Sequence, residues 1–225
     1  MNLLGFDTST AASAACVVRA DGATFEVVPE PAALAGAPGH ARELLPALAR
    51  VIADAELGWG DLDAVAVGHG PGGFTGLRIG VATARGIAHS QRIPIHPVSS
   101  LAALAAGIAA PLRLALIDAR RGELFAALYG RDGAIWEPFV VRPALLVERL
   151  RADPALSAGV LAAGDGSLRS RDWLEAAGVK VATAGSPLHV LRAVHVCRLA
   201  RAVPPTAPEA VLPLYLRAPD ARPQR

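Results

Sequence analysis

Short apolar runs separated by turn residues fill the first hundred positions of the chain. The second and third runs are joined at Asp21–Gly22, a dipeptide typical of a two-residue hairpin turn. The pattern therefore predicts a strand, a hairpin and two further extended segments, the last of them at a sheet edge or in a link. These segments are residues 2–7, 14–18, 23–28, 62–67 and 93–98.

Two stretches of the same region carry apolar residues at helical spacing. The first predicts an amphipathic helix from about residue 40 to 56, which Pro46 should kink or restart. The second predicts a helix that follows a glycine-rich turn. The apolar positions are Leu44, Leu45, Leu48, Val51, Ile52 and Ala55 in the first helix, and Leu77, Val81, Ala84 and Ala88 in the second.

The second half of the chain begins as the first does. A strand over residues 112–117 ends at Asp118, as residues 2–7 end at Asp7, and in both places a polar turn and a returning strand follow. Such a duplication predicts two stacked α/β subdomains of βββαβα type with a cleft between them. We expect an N-terminal subdomain at 1–100, a C-terminal subdomain with a returning tail at 101–217, and a disordered tail at 218–225.

Composition narrows the class of protein. The formal net charge is +2, which argues against a dedicated nucleic-acid binder. Cys16 and Cys197 lie in apolar runs and form no metal or disulfide pattern, so two free thiols are expected. Residues 1–7 have no basic segment and reach an acid at Asp7, so no signal peptide is expected, and the most apolar run is broken by Pro111 and Arg113. A cytoplasmic protein without a membrane partner is predicted.

Glycines crowd residues 68–80, between a predicted strand and a predicted helix. Glycine permits positive φ and close backbone approach, and a helix start favours an anion. The stretch has no lysine for a P-loop and does not match the dinucleotide-binding pattern. Both a phosphate-binding turn and a purely structural turn remain open.

A bare face on the second helix offers another pair of alternatives. Gly76, Gly80 and Ala84 recur every four residues, so a neighbouring element can approach this face closely. The neighbour is either the protein's own sheet, which the residues alone favour, or a helix of a partner chain.

A metal site is tested most directly at His40, which begins the first helix. A second ligand on the same face would stand at i+4, and that position is Leu44. His189 and His195 are six residues apart, on poorly matched faces of a helix. No catalytic metal is predicted, and His40 is expected in a polar or capping role.

Four motifs then occur in order along the chain. The stretch GPGGFTGLRIG at 70–80 closely resembles the signature of the bacterial TsaB (YeaZ) family, usually written GPGSFTGLRIG, with Gly73 in place of serine. The other three, DTST, DARRGE and PLYLR, match the same family. They stand at residues 7–10, 118–123 and 213–217.

The resemblance implies an actin-like (ASKHA, ribonuclease H-like) α/β fold. It also implies a non-catalytic subunit of the machinery that installs threonylcarbamoyl on the adenosine beside the tRNA anticodon. Such a subunit would bind and support a TsaD-type transferase as a heterodimer, join a TsaE-type ATPase in a larger complex, form a homodimer when alone, and meet tRNA only through the complex. It would be no enzyme itself and would need no cofactor.

The resemblance also assigns residues to two sites. In the family the first two helices contact the partner, which reverses the preference for own-sheet packing; the predicted contacts are Leu44, Leu45, Leu48, Ile52, Phe74, Thr75, Gly76, Leu77, Gly80 and Ala84. Substituting Gly80 by leucine would then block assembly and leave the fold largely intact. A vestigial nucleotide site would comprise Asp7, Thr8, Ser9, Thr10, Gly72 and Gly73.

Three rival functions follow from the same residues. An active actin-like phosphotransferase would use Asp7, Thr8 and the Gly72–Gly73 turn. A peptidase is discounted, because no Ser/His/Asp or metal set has plausible spacing. A direct tRNA binder is disfavoured by the charge, although Arg120 and Arg121 could join a composite surface.

Overall fold

The structure is a computed structural model that describes residues 1–152, 156 and 159–217. The predicted tail at 218–225 lies outside the described residues. The described part contains two five-stranded mixed sheets, one from each half of the chain.

The first sheet has the strand order β3-β2-β1-β4-β5. Strands β1 and β2 are antiparallel and so are β2 and β3, whereas β1, β4 and β5 run parallel. The hairpin at Asp21–Gly22 and the edge position of the last strand are both as predicted. The strands are Leu3–Asp7 (β1), Ala14–Val18 (β2), Thr24–Val27 (β3), Ala64–Gly70 (β4) and Ile95–Ser99 (β5).

The second sheet repeats the first. Its order, β10-β9-β6-β7-β8, is the same arrangement when its strands are numbered from its own first strand. Both sheets therefore have the duplicated βββαβα topology that the sequence predicts. The strands are Leu112–Arg120 (β6), Glu123–Gly130 (β7), Gly133–Val141 (β8), Val160–Ala163 (β9) and Lys180–Val181 (β10).

Seven α-helices are described, together with short 3-10 turns. The first runs unbroken through Pro46, so the predicted restart does not occur. Ser167, inside a short helix, donates its hydroxyl to the Gly164 carbonyl (2.7 Å). The helices are His40–Asp54 (α1), Phe74–Gln91 (α2), Ser100–Ala106 (α3), Pro143–Arg151 (α4), Asp165–Arg169 (α5), Arg171–Glu175 (α6) and Ala193–Ala200 (α7).

Three apolar layers form the core, and the central one joins the two halves. One lies between the first sheet and helices α1 and α2, where Leu4 and Phe6 of β1 pack with Leu48. The alternate residues of the strand, such as Leu3, face a central layer shared by both sheets and by α3 and α7. The third layer lies between the second sheet and helices α4 and α6.

The last helix returns to the first sheet. Helix α7 contacts β1 and β2, and a Cβ on Gly5 would lie 2.3 Å from the Cys197 sulfur, so only glycine allows this approach. Glu26 of β3 accepts from the guanidinium of Arg192 (2.5 Å) and from the amide of Val194 (3.1 Å) at the start of α7. The division at residue 100 remains a prediction about folding units.

Across the described residues, no helix combines the length and the hydropathy that crossing a membrane requires.

Candidate functional site

The four motifs of the sequence meet at one place, where both sheets end beside the starts of α1 and α2. The turn after β1 and the glycine turn before α2 contact each other directly. The hairpin after β6 faces them across a cleft, and the C-terminal segment 211–217 joins the two sides. These parts together form the candidate site.

Asp7 lies at the end of β1 and is almost fully buried, with 1% of its surface exposed. One carboxylate oxygen accepts from the Ser9 amide (2.7 Å) and hydroxyl (2.6 Å), and the other accepts from the Ser100 hydroxyl (2.6 Å). Burial raises the pKa of Asp7, and these hydrogen bonds counter the shift only in part. A Cβ on Gly68 would lie 1.7 Å from the carboxylate.

The glycine turn lies directly on the turn after β1. A Cβ on Gly72 would lie 2.4 Å from Cβ of Ser9, and the Gly73 amide donates to the Ser9 carbonyl (2.7 Å). The Thr8 hydroxyl donates to the Gly76 carbonyl (2.7 Å). A purely structural turn, one of the two alternatives for this stretch, accounts for these contacts, because each glycine removes a side chain where two backbones meet.

An actin-like fold raises the question of a phosphate group and Mg²⁺ at this place. Asp7 is buried with both carboxylate oxygens engaged by this chain's own donors, and Gly72 lies in van der Waals contact with Ser9. The four residues Asp7, Thr8, Ser9 and Thr10 are all buried. This predicted nucleotide set therefore does not fit a phosphate–magnesium pair, because its polar atoms serve the protein itself.

Helix α2 buries its bare face against the same turn. A Cβ on Gly76 would lie 2.1 Å from the Thr8 carbonyl oxygen, and one on Gly80 would lie 2.3 Å from the Thr8 hydroxyl oxygen. The face packs on the protein's own β1–β2 turn, in agreement with the alternative that the residues alone favour. Leucine at position 80 would collide with the Thr8 side chain, so we now expect Gly80→Leu to lower the stability of the fold as well.

The predicted contact residues divide by burial. Leu45, Phe74 and Thr75 are exposed, at 56% and 42% for the two apolar side chains. The others lie inside the protein, where no partner can reach them in this conformation. A partner contact through these seven buried residues stays a prediction, one that their burial does not favour: Leu44, Leu48, Ile52, Gly76, Leu77, Gly80 and Ala84.

His40 is the first residue of α1 and is buried. Its Nδ1 lies 2.7 Å from the Ser13 hydroxyl, and a Cβ on Gly76 would lie 3.1 Å from its Nε2. Burial lowers the pKa of His40. Gly39, not His40, stands at the N-cap position of α1, and the structure gives His40 a polar role beside the turn. Among the described residues, no three His, Cys, Asp or Glu side chains are grouped to hold a metal ion.

The second half brings a charged counterpart to the cleft. Asp118, at the same place on β6 as Asp7 on β1, forms ion pairs with Arg169 (2.8 Å) and Arg120 (3.3 Å). Beside it, Asp165 accepts from the Asp118 amide (3.0 Å). Burial raises the pKa of Asp165, and the neighbouring carboxylate adds to the shift. A cleft of about 390 Å³ separates these groups from Ser9, His40 and the start of α2.

The C-terminal segment fastens the two sides of the cleft. The Leu214 amide donates to the His69 carbonyl at the end of β4 (2.7 Å). The Tyr215 hydroxyl accepts from Nε of Arg78 (3.1 Å), and its ring lies 5.3 Å from that of Phe74. Arg217 reaches the other half, where it bonds the Ala119 carbonyl (3.2 Å) and Glu123 (3.1 Å). The motif PLYLR thus bonds both the glycine-turn motif and DARRGE.

Comparison with known proteins places this chain in a family. The family model described as TsaD, tRNA N6-adenosine threonylcarbamoyltransferase, matches residues 23–194. The tRNA threonylcarbamoyladenosine biosynthesis protein TsaB of Escherichia coli is 34% identical over 67% of this chain and 67% of its own length. The solved structure of YeaZ from Pseudomonas aeruginosa superposes with a TM-score of 0.76 at 26% identity, covering 95% of this chain and 100% of that one.

The chain belongs to the TsaB (YeaZ) family. Its fold is the actin-like, duplicated one that the resemblance implies. An uncharacterized protein of Mycobacterium leprae is 36% identical over 98% of this chain, which spans 56% of that relative's length.

Sequence reasoning missed several residues of this TsaB-family site. Ser100 completes the shell of Asp7 from 93 positions away, and Ser13 holds His40. Only the strand order brings Ser100 to Asp7, because β5, which precedes it, lies two strands away from β1. A serine at a predicted helix start is a local signal of capping, and in the structure Ser99 is the cap, accepting from the Ala102 amide (3.3 Å).

Proposed function

We propose that this chain is a non-catalytic subunit of the tRNA threonylcarbamoyladenosine machinery, and that it binds a TsaD-type transferase through the outer faces of α1 and α2. Family membership supports a role in tRNA threonylcarbamoyladenosine biosynthesis. A homodimer through the same faces when the partner is absent, and a larger complex with a TsaE-type ATPase, are parts of the proposal.

The outer face of α1 is the observation that carries the proposed interface. Small and apolar residues recur there at every fourth position, and all of them are exposed although the opposite face is buried. Such an apolar stripe on a solvent-facing helix is typical of a partner surface, since surface helices ordinarily turn polar residues outward. The stripe consists of Ala41, Leu45, Ala49 and Ala53, with Pro46 beside it.

Helix α2 extends this surface at its N-terminal end. Phe74 and Thr75 are exposed there, next to the start of α1. Arg78 lies over the Phe74 ring, with its guanidinium carbon 3.9 Å from the ring centre. An exposed aromatic ring stacked with an arginine is a pair of side-chain types that are enriched at protein interfaces.

The non-catalytic part of the proposal rests on the closed turn after β1. A phosphotransferase would need Asp7 accessible to a metal-bound phosphate, whereas its oxygens are occupied by Ser9 and Ser100. The two acids on the other side of the cleft are also engaged, Asp118 by two arginines and Asp165 by a backbone amide. No described residue set thus supports the rival phosphotransferase.

Substitution of Leu45 by glutamate tests the interface. Because a charge would enter an apolar contact, we expect affinity for the TsaD-type partner to fall about 30-fold or more, which is ~2 kcal/mol, the threshold of an interface hot spot. Binding is measured by calorimetry with the purified partner. The matched control is Leu145→Glu, because Leu145 is equally exposed (54% against 56%) but lies on α4 of the second half. Equal loss in both variants, or in neither, would contradict the proposal.

The same proteins test the non-catalytic role. Threonylcarbamoylation of tRNA is measured with this chain and the transferase together, with the transferase alone, and with this chain alone. We expect activity only when the transferase is present, and stimulation that Leu45→Glu removes. Modification by this chain alone would overturn the role.

A further inference from the structure

An arginine-lined concavity lies in the second half, on the side of the β6–β7 hairpin that faces α4 and α5. It encloses about 280 Å³ and is lined by Arg120, Arg121, Arg169, Asp118, Glu123 and Pro143, among others. It shares Asp118 and Arg120 with the cleft, but none of the first-half residues of the cleft reaches it. The motif residues Arg120 and Arg121 have no role in the function proposed above.

Asp118 holds two of the guanidiniums in place. It is the acceptor for Nε of Arg169 (2.8 Å) and Nη1 of Arg120 (3.3 Å), while 7% of its own side chain is exposed. Each arginine side chain is 56% exposed. A guanidinium has five N–H donors, and one carboxylate shared between two forks leaves donors on both for a further acceptor.

The local charge is positive. The second carboxylate of the concavity, Glu123, is paired with Arg217 (3.1 Å). Arg120 and Arg169 share the one carboxylate of Asp118, and helix α4 begins here at Pro143, so its positive end adds to the field. An anion is the ligand that this arrangement favours.

The backbone of the hairpin also favours a role for the arginine side chains. Arg120 and Arg121 have φ values of 63° and 55°, in the left-handed region that glycine or asparagine would occupy with less strain. The corresponding turn of the first half holds small residues, packed shut by Gly72 against Ser9. The arginines are therefore not a requirement of the repeated fold.

We propose that this concavity binds a phosphate group, supplied either as a phosphodiester of RNA or as a free polyphosphate. Planar guanidinium forks match phosphate oxygens in pairs, and exposed forks over a shallow cavity suit a phosphate rather than a whole buried nucleotide. The site is independent of the interface around Leu45.

The test uses the full-length protein with two probes, pyrophosphate and an unmodified tRNA transcript. In the double variant Arg120→Gln/Arg169→Gln we expect the pyrophosphate Kd to rise at least tenfold. If RNA is the source, the dependence of tRNA affinity on salt also becomes shallower, by about 0.7–0.9 in logarithmic slope for each phosphate that is no longer neutralised. The matched control is Arg50→Gln, since Arg50 is also an exposed, ion-paired arginine (73% exposed; 3.6 Å from Asp54) on the other half.

The outcomes are distinct. Loss of pyrophosphate binding with tRNA binding unchanged supports the site with a free polyphosphate as ligand, and loss of both, with pyrophosphate displacing tRNA, supports it with RNA. No binding of either probe by the unaltered protein, or equal loss in Arg50→Gln, overturns it. Should the double variant melt early, Arg169→Lys serves instead, because it keeps the positive charge beside Asp118 but removes the fork; unchanged affinity there also counts against the site. Leu45→Glu should retain phosphate binding even if the proposed interface fails.

Discussion

Asp7 and Asp118 stand at equivalent places in the two halves, each at or near the end of a first strand and before a returning strand. Asp7 is enclosed by hydroxyls of Ser9 and Ser100 within a turn that small residues close. Asp118 is bound by two half-exposed guanidiniums beside an open concavity. One duplicated topology thus carries a sealed turn in the first half and a charged one in the second.

The contrast between the two turns shows which side chains the fold itself needs. In the first half Gly72, Gly76 and Gly80 and the Thr8 hydroxyl serve packing, because they lie where α2 and its preceding turn meet the turn after β1. In the second half the corresponding positions tolerate long charged side chains, so nothing in the fold dictates them. Functional surfaces are therefore expected at the charged β6–β7 hairpin, where the second half differs from the first, and on the outer faces of α1 and α2.

The largest effect is expected where the first half is sealed. In Gly76→Val the new Cβ would lie 2.1 Å from the Thr8 carbonyl oxygen, and because a backbone atom cannot yield cheaply, we expect a loss of about 3 kcal/mol or more in the free energy of unfolding. Urea denaturation measures it. Gly86 is the matched control on the same helix: nothing lies within 4 Å of its Cβ position, and Gly86→Ala should stabilise by roughly 0.5–1 kcal/mol. Similar effects of both would mean that α2 does not pack as described.

A smaller effect, of opposite sign in the two halves, is expected from Asp7→Asn and Asp118→Asn. The folded-state pKa of Asp7 is raised by burial above 3.8, so the stability due to this group is present below pH 3.8 and is lost as pH rises through the folded pKa. The Asp7→Asn variant should therefore gain stability relative to the unaltered protein as pH rises from about 3 to 7. Asp118→Asn should instead lose about 1 kcal/mol at neutral pH, since its partners Arg120 and Arg169 are half exposed.

Urea denaturation at a series of pH values measures both. The unaltered protein is the common reference, which cancels the contribution of Asp165, whose pKa is also raised. The difference in stability between Asp7→Asn and the unaltered protein should change over this pH range. A constant difference would show that folding does not raise the pKa of Asp7. A gain of stability in Asp118→Asn would remove the contrast between the halves.

Much of this architecture is predictable from the sequence, because it depends on local signals. The hairpin at Asp21–Gly22, the helix over residues 74–91 and the repeated strand–aspartate–strand order all follow from turn chemistry and apolar spacing. Which face of a helix is buried does not follow from a resemblance. The resemblance assigns the bare face of Gly76 and Gly80 to a partner, whereas their own spacing indicates a close approach of the protein's own backbone.

The long-range contacts are not predictable, for a different reason. The Asp7–Ser100 and Arg217–Glu123 pairs join residues separated by 93 and 94 positions, and their partners are fixed by strand order and by the path of the C-terminal segment. The spacing of apolar residues predicts whether a segment is a helix or a strand, but not which other segment it packs against. The motifs DARRGE and PLYLR are visible as separate signals, but their contact is not.

The smallest effect is expected from replacing two arginines with left-handed backbone by glycine. It distinguishes backbone strain that serves the fold alone from strain that is kept because the side chain binds a ligand. Arg92, after α2, and Arg121, in the β6–β7 turn, both have left-handed backbones, with φ of 57° and 55°. Glycine adopts this conformation without the penalty of a Cβ, so Arg92→Gly should stabilise by roughly 0.5–1 kcal/mol. Arg121→Gly should gain no more than that, since it also removes the contacts of its side chain. Urea denaturation and pyrophosphate titration of both variants provide the comparison. Weakened pyrophosphate binding in Arg121→Gly alone would indicate that strain at the hairpin persists because a guanidinium is used there. Equal gains in stability with unchanged binding in both would mean that the charged turn of the second half is as incidental to ligands as the end of α2.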